Sequence, residues 1–180
     1  AYLTFDAGYE NGNITKILDT LKEKGVPAAF FILINMVEKE GDLVRRMVAE
    51  HHTVCNHTAN HKDMSKITDS VEFSAELDLL AEAYTTLTGE KIAPYYRPPE
   101  GRFTEQNLVM ADELGYTTVF WSFAYADWNN ESQMSPETAK KKILNNMHNG
   151  VVLLLHPTSA TNAAILGDVI DEMRREGYRF

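Results

Sequence analysis

Short apolar runs alternate with amphipathic helical patterns from one end of this 180-residue chain to the other, and that alternation restricts the fold more than any other feature. Residues 2–6, 28–34, 52–56, 95–97, 116–123, 151–155 and 178–180 read as seven strands. The second run is almost continuously apolar, as expected of a strand covered on both faces in a parallel sheet. Helical patterns fill the intervals at 13–24, 43–50, 68–87, 104–114, 136–147 and 163–176. The first places Ile14, Ile17, Leu18 and Leu21 on one face and stops at Gly25, a common helix terminator. No linker or low-complexity stretch interrupts the series. Residues 1–180 therefore read as one α/β domain built from right-handed βαβ units. A closed eight-fold barrel takes about 250 residues. The expected form is a distorted, incomplete (β/α) barrel of about seven parallel strands, with an open doubly wound sheet as the alternative. In both, ligands gather at the carboxyl ends of the strands.

Polar residues stand where those strands end. Asp6 closes the first, and the small Ala7 and Gly8 after it leave its carboxylate open to a ligand. His57 and His61, separated by Thr58-Ala59-Asn60, follow the third. Arg97 ends the fourth before Pro98-Pro99, which hold it extended. Asp127-Trp128 follow the fifth, and His156 follows Leu154-Leu155 at the end of the sixth. Two neutral imidazoles can hold a divalent cation, a carboxylate can take a proton from water, and a further imidazole can return one. That inventory suits metal-assisted hydrolysis. Arg97 is placed to pair with Asp6, and Asp127 to raise the pKa of His156, as a general acid requires. Each residue also has a structural alternative: Asp6 a helix cap, His156 a core histidine, Arg97 a surface ion pair. Asn11 or Asn13 is better placed than Asp6 to cap the first helix. His51 and His52 flank a strand start, His148 lies near a helix end, Trp121 reads as core, and Cys55 as a small buried side chain.

Bulk properties narrow the partners. Hydrophobic residues make up 44% and charged residues 24%, as in soluble globular proteins. A formal net charge of -9 argues against a nucleic-acid partner. No apolar run approaches the roughly 18 residues that cross a bilayer. No leader is visible and the chain opens directly on a strand, so it reads as an excised catalytic domain. A single cysteine excludes an internal disulfide.

These segments resemble the polysaccharide deacetylase family (carbohydrate esterase family 4, the NodB-homology domain), whose five motifs occur here in order. Thr4-Phe5-Asp6-Ala7-Gly8-Tyr9 is similar to the first, His57-Thr58-Ala59-Asn60-His61 to the metal-binding second, and Arg97-Pro98-Pro99-Glu100-Gly101 to the third. Asp127-Trp128 is similar to the fourth and Leu154-Leu155-His156 to the fifth. The wording from Thr4 to Asn13, with Glu10-Asn11-Gly12, most resembles the delta-lactam-biosynthetic de-N-acetylases, which act on muramic acid in bacterial spore peptidoglycan. The resemblance implies a distorted barrel with one metal ion, most often zinc, with cobalt or nickel as alternatives. It implies removal of acetyl groups from an acetylated polysaccharide, by a monomer outside the cell or in the bacterial envelope. Carried over by position, Asp6 is the general base, His57 and His61 are metal ligands, and His156 is the general acid. Arg97 orients Asp6, Asp127 tunes His156, the Glu100 N–H helps hold the oxyanion, and Trp128 and Leu154 wall the acetyl methyl pocket.

Two positions depart from the family pattern. Ala7 stands where a second aspartate usually supplies a third metal ligand, an absence shared with the delta-lactam subgroup. Two imidazoles hold a cation more weakly than three ligands, and leave it a stronger Lewis acid. Glu100 stands where many members carry tyrosine, and its charge disfavours an anionic group such as the muramyl lactate. The expected function is metal-dependent removal of N-acetyl groups from peptidoglycan N-acetylmuramic acid or N-acetylglucosamine. Alternatives are an acetyl-xylan or chitin deacetylase, or a catalytically silent glycan-binding domain. The retention of both Asp6 and His156 argues against silence.

Overall fold

The apolar runs become strands that lie side by side. In the computed structural model, which describes residues 1–180, six strands form one parallel sheet: β1 (Tyr2–Ala7), β2 (Ala29–Ile32), β3 (Thr53–Asn56), β4 (Ala93–Tyr96), β5 (Thr117–Thr118) and β6 (Val152–Leu155). Their order is β5-β4-β3-β2-β1-β6. Helices α1 (Ile14–Lys24), α2 (Ile34–Lys39), α3 (Gly41–Ala49), α4 (Ser70–Thr88), α5 (Glu105–Glu113), α6 (Pro136–Leu144) and α7 (Ala160–Arg175) cover the outside. This is a half-barrel, as the element pattern implies. Phe5 and Phe30 are register partners on β1 and β2 and stack with ring centroids 5.0 Å apart. They belong to the main core, together with the Ile14, Ile17, Leu18 and Leu21 stripe of α1. Burying each large apolar side chain contributes on the order of 2 kcal/mol.

Four features differ from the sequence reading, each for a physical reason. The run 116–123 is not one strand. Thr117 and Thr118 pair with β4 and Val119 N–H donates to the Tyr96 carbonyl at 2.7 Å, after which the chain crosses to the far edge of the sheet. There Ser122 N–H donates to the Val152 carbonyl at 3.0 Å, and Leu154 N–H to the Phe123 carbonyl at 3.0 Å. One apolar run thus serves both edges and nearly closes the barrel. Residues 178–180 form no strand; Tyr178 and Phe180 instead pack against the core edge. The sheet therefore has six strands where about seven were expected. A helix too short to display a period, α2, buries Met36 and Val37 directly after β2. Finally, no asparagine side chain caps α1: Ile14 N–H donates to Glu10 Oε2 at 3.0 Å, while Asn13 Nδ2 donates to the Thr158 carbonyl at 3.0 Å.

Because the Phe5–Phe30 stack joins sheet and helices, Phe30→Ala should lower unfolding free energy by about 3–5 kcal/mol in urea denaturation. A loss below about 1 kcal/mol would mean that this stack is not central to the core.

Candidate active site

Strand register brings the polar residues to one rim. Phe5 pairs with Leu155 and Asn56 with Tyr96, so Asp6 lies beside His156, and His57 beside Arg97. Arg97, expected before its two prolines as a partner of Asp6, is completely buried. Its Nη1 donates to Asp6 Oδ1 at 2.7 Å. Its Nε and Nη2 donate to the carbonyls of Val119 and Phe120 at 3.1 and 3.3 Å, where the crossing chain has no ladder partner. Its Cζ lies 4.0 Å from the centroid of the Phe31 ring. The main-chain carbonyl of the same residue lies 2.8 Å from His57 Nδ1. A carbonyl only accepts, so Nδ1 carries the proton and the lone pair on Nε2 points away, 3.6 Å from Asp6 Oδ2. Burial pushes the His57 pKa down, against the opposing pull of Asp6 and of the Arg97 carbonyl. A neutral ring with a free Nε2 is the form that binds a metal.

The loop that carries both imidazoles is held against its own strain. Thr58 and His61 have φ values of 74 and 53 degrees, which for non-glycine residues cost on the order of 1 kcal/mol each. Asn56 Oδ1 accepts from Thr58 N–H at 2.9 Å, and Thr58 Oγ1 from His61 N–H at 3.0 Å. The buried Glu76 carboxylate on α4 accepts from both Asn60 N–H and Asn60 Nδ2 at 3.0 Å. Burial opposes its charge, but the bonds from Asn60 and Lys62 outweigh that and hold its pKa below the ordinary range. In this frame the His57 and His61 rings meet edge to face, 5.2 Å between centroids. No third His, Cys, Asp or Glu joins them in a cluster able to hold a cation. Two neighbouring imidazoles are a donor set that could take a divalent ion, with water completing the coordination.

His156 is the opposite case. Its Nδ1 lies 2.7 Å from Asp127 Oδ1, and its main-chain N–H donates to Asp127 Oδ2 at 2.8 Å. Burial disfavours charge on this ring too, but the hydrogen bond and charge of Asp127, with Asp6 behind it, outweigh burial and raise the pKa. The Nδ1 proton faces the carboxylate, leaving Nε2 to face outward. Trp128 meets the ring edge on at 6.1 Å and is itself exposed.

Asp6, His57, His61 and His156 share one cavity of about 580 Å³, whose other walls are Glu100, Trp121, Ala124, Tyr125, Trp128 and Leu154. Glu100 occupies a left-handed turn, φ 56 degrees, in the short 3₁₀ segment Pro99–Gly101. Its carboxylate pairs with Arg102 at 2.9 Å, and Arg102 in turn with Asp63 at 3.1 Å. Gly101 is required there: a Cβ would lie 2.7 Å from the Trp121 ring, at a φ of +68 degrees. Every residue assigned to the site from sequence borders this cavity or buttresses a residue that does. Trp121 is a correction, since it is a half-buried cavity wall rather than core. Glu76 and Tyr125 were missed. Glu76 had a signal: a carboxylate set between Phe73, Leu77 and Leu80 on the buried stripe of α4. A second cavity, about 450 Å³, lies at the amino ends of the strands and is mostly apolar, with no acidic or histidine side chain. The Cys55 thiol there is pushed up to about 12 by burial. The carboxylate and imidazole side chains gather instead in the first cavity.

Comparison with known proteins agrees with this fold. The polysaccharide deacetylase family profile matches residues 1–119. Peptidoglycan-N-acetylmuramic acid deacetylase PdaA of Bacillus subtilis is 39% identical over 180 residues, covering 99% of this chain and 68% of that protein. A peptidoglycan-N-acetylglucosamine deacetylase of Bacillus cereus is 33% identical over 99% of this chain and 64% of its own length. The chain thus spans about two thirds of these curated relatives. The solved structure of Bacillus subtilis PdaA, described as a family 4 carbohydrate esterase, superposes with a TM-score of 0.96 at 38% identity, covering 99% of this chain and 76% of that one.

Asp127→Asn removes the charge that raises the His156 pKa and leaves burial, which lowers it. The ring should then deprotonate at a lower pH, so an activity that needs the protonated ring loses its alkaline range first. NMR titration of His156 measures this directly; an unmoved titration would remove Asp127 as the cause.

Proposed function

The chain belongs to the polysaccharide deacetylase family, and from that premise we propose that it is a metal-dependent hydrolase. It removes N-acetyl groups from a bacterial cell-wall polymer, acting on N-acetylmuramic acid or N-acetylglucosamine of peptidoglycan. One observation carries this reading: a carboxylate fixed by a buried arginine and an imidazole fixed by a buried aspartate face the same cavity as His57 and His61 at the two ends of a strained loop.

His57 and His61 would hold a divalent cation, zinc in preference to cobalt or nickel, which would supply Lewis acidity toward the acetyl carbonyl and the attacking water. Ala7 adds no carboxylate beside these rings, so affinity rests on the two imidazoles alone. Asp6 Oδ1 is tied to Arg97 and Oδ2 is turned toward His57, so Oδ2 is the oxygen that takes the water proton. The water oxygen bonds to the acetyl carbon as that proton leaves. Glu100 N–H, in its left-handed turn, donates to the oxyanion. His156 then gives its Nε2 proton to the departing nitrogen as the carbon–nitrogen bond breaks, releasing acetate and a free amine. Trp128 and Leu154 close around the acetyl methyl group.

The rim charge is mixed, because Arg102 offsets Glu100; a muramyl carboxylate and a neutral glucosaminyl residue both have a partner there. Relatives named for peptidoglycan support action in the cell envelope or outside the cell, and resemblance to the muramyl subgroup supports use in the spore wall. No helix is long and apolar enough to cross a membrane.

Acetate release from muramyl, glucosaminyl and xylosyl substrates with added zinc tests the reading. Release from a peptidoglycan sugar is expected, release from acetyl-xylan alone reassigns the substrate, and none from any substrate leaves a glycan-binding domain. Asp6→Asn should cut turnover by about 100-fold or more with metal content unchanged; turnover within about tenfold of the parent rejects Asp6 as the base. His57→Ala should lose the metal, and retained stoichiometric metal rejects that ligand.

A further inference from the structure

Asn162, near the start of α7, is fully buried and has no part in the chemistry above. Its Nδ2 donates to Asp127 Oδ2 at 2.6 Å and to the His156 carbonyl at 3.1 Å. Its Oδ1 is bonded to the Tyr125 hydroxyl, and its main-chain N–H donates to Ser159 Oγ at 3.0 Å. A carboxylate and a carbonyl can only accept, so both must be served by Nδ2. Oδ1 is left facing Tyr125, and the phenol must donate; the amide has one orientation that satisfies all its partners. Burial and then the charge of Asp127 push the Tyr125 phenol upward, with Ser159 offsetting part of this, so it stays protonated and a donor. Asp127 Oδ2 is thereby filled by two donors, Asn162 and the His156 main chain, and Oδ1 is left for the His156 ring.

Resting on the deacetylase reading, we propose that Asn162 is a positioning residue. With Tyr125 it sets the rotation of the Asp127 carboxylate, commits the His156 Nδ1 proton to Oδ1, and so presents Nε2 to the acetamide being cleaved. Without the amide, Asp127 Oδ2 keeps one donor and the carboxylate can turn about its Cβ–Cγ bond. Nothing else takes over its work. Asp6 and Arg97 face His156 from the ends of β1 and β4 and Trp128 packs edge on, yet none of the three bonds to its Nδ1.

Three measurements on Asn162→Ala and Tyr125→Phe test this: kcat and KM on an N-acetylglucosamine tetramer with zinc, melting temperature, and the exchange-protected His156 Nδ1–H resonance in proton NMR. Asn162→Ala should lose that resonance and lower kcat roughly 10- to 100-fold, with KM within about threefold. A purely structural residue would lower the melting temperature and leave kcat and the resonance of the folded fraction in place, which overturns the proposal. Tyr125→Phe removes the donor to Asn162 Oδ1 and leaves the amide held at Nδ2 alone, so kcat should fall several-fold and the resonance broaden. If Asn162→Ala does not fold, a parent-like resonance and kcat in Tyr125→Phe overturn the proposal instead. The resonance reads the clamp whether or not the parent releases acetate. Its loss in Asn162→Ala from an inactive parent would uphold the clamp and end the deacetylase reading alone.

Discussion

A single buried guanidinium holds the site and the barrel together. Arg97 fixes one oxygen of Asp6, satisfies the carbonyls of Val119 and Phe120 where the chain leaves one sheet edge for the other, and lies over Phe31. Its own carbonyl sets the tautomer of His57. Taking a charge out of water costs several kcal/mol unless geometry and hydrogen bonds are complete. Here the planar fork meets a carboxylate and two carbonyls in one plane of donors, which the point charge of a lysine cannot reproduce. The seam where the chain leaves one sheet edge for the other is thus tied to the end of β4 by this residue.

Around that fixed point, two histidines in one cavity are driven in opposite directions. His57 is stripped of solvent and bonded to a neutral carbonyl, so it stays uncharged and offers a lone pair. His156 is stripped of solvent too, but its partner is an anion, so it gains a proton readily. The same side chain is thus suited to ligate in one place and, on the proposed reading, to act as an acid in the other, a division set by what sits behind Nδ1. The carboxylates divide likewise. Asp6 keeps one oxygen free toward the cavity, whereas Asp127 has both oxygens occupied and acts only through His156.

Parallel βα units turn order along the chain into neighbours on a rim, which is why Asp6, His57, His61, Arg97 and His156 were legible from strand ends; Asp127 reaches the same rim on the segment that crosses the sheet. The Asp6–Arg97 and Asp127–His156 pairs followed from charge. What stayed hidden depends on distance rather than order. A continuous apolar run looks the same whether it pairs with one edge or bridges two, so the break after Thr118 left no mark. Trp121 reads as core because aromatic residues in strands usually are; that it lines a cavity depends on Gly101 opposite, a contact between segments. Glu76 and Asn162 lie on helices among apolar neighbours, and their partners come from loops far away in sequence. Strain at Thr58 and His61 is likewise invisible until backbone angles are known.

The most direct test of this account is the turnover of Arg97→Lys on a peptidoglycan substrate with zinc present. Charge at the position is kept while the fork that spans Asp6 and the two seam carbonyls is lost. Turnover should fall by about 100-fold or more, on the scale of removing an aligned general base. Turnover within about threefold of the parent in a folded, metal-loaded variant would contradict the claim that this guanidinium sets the site.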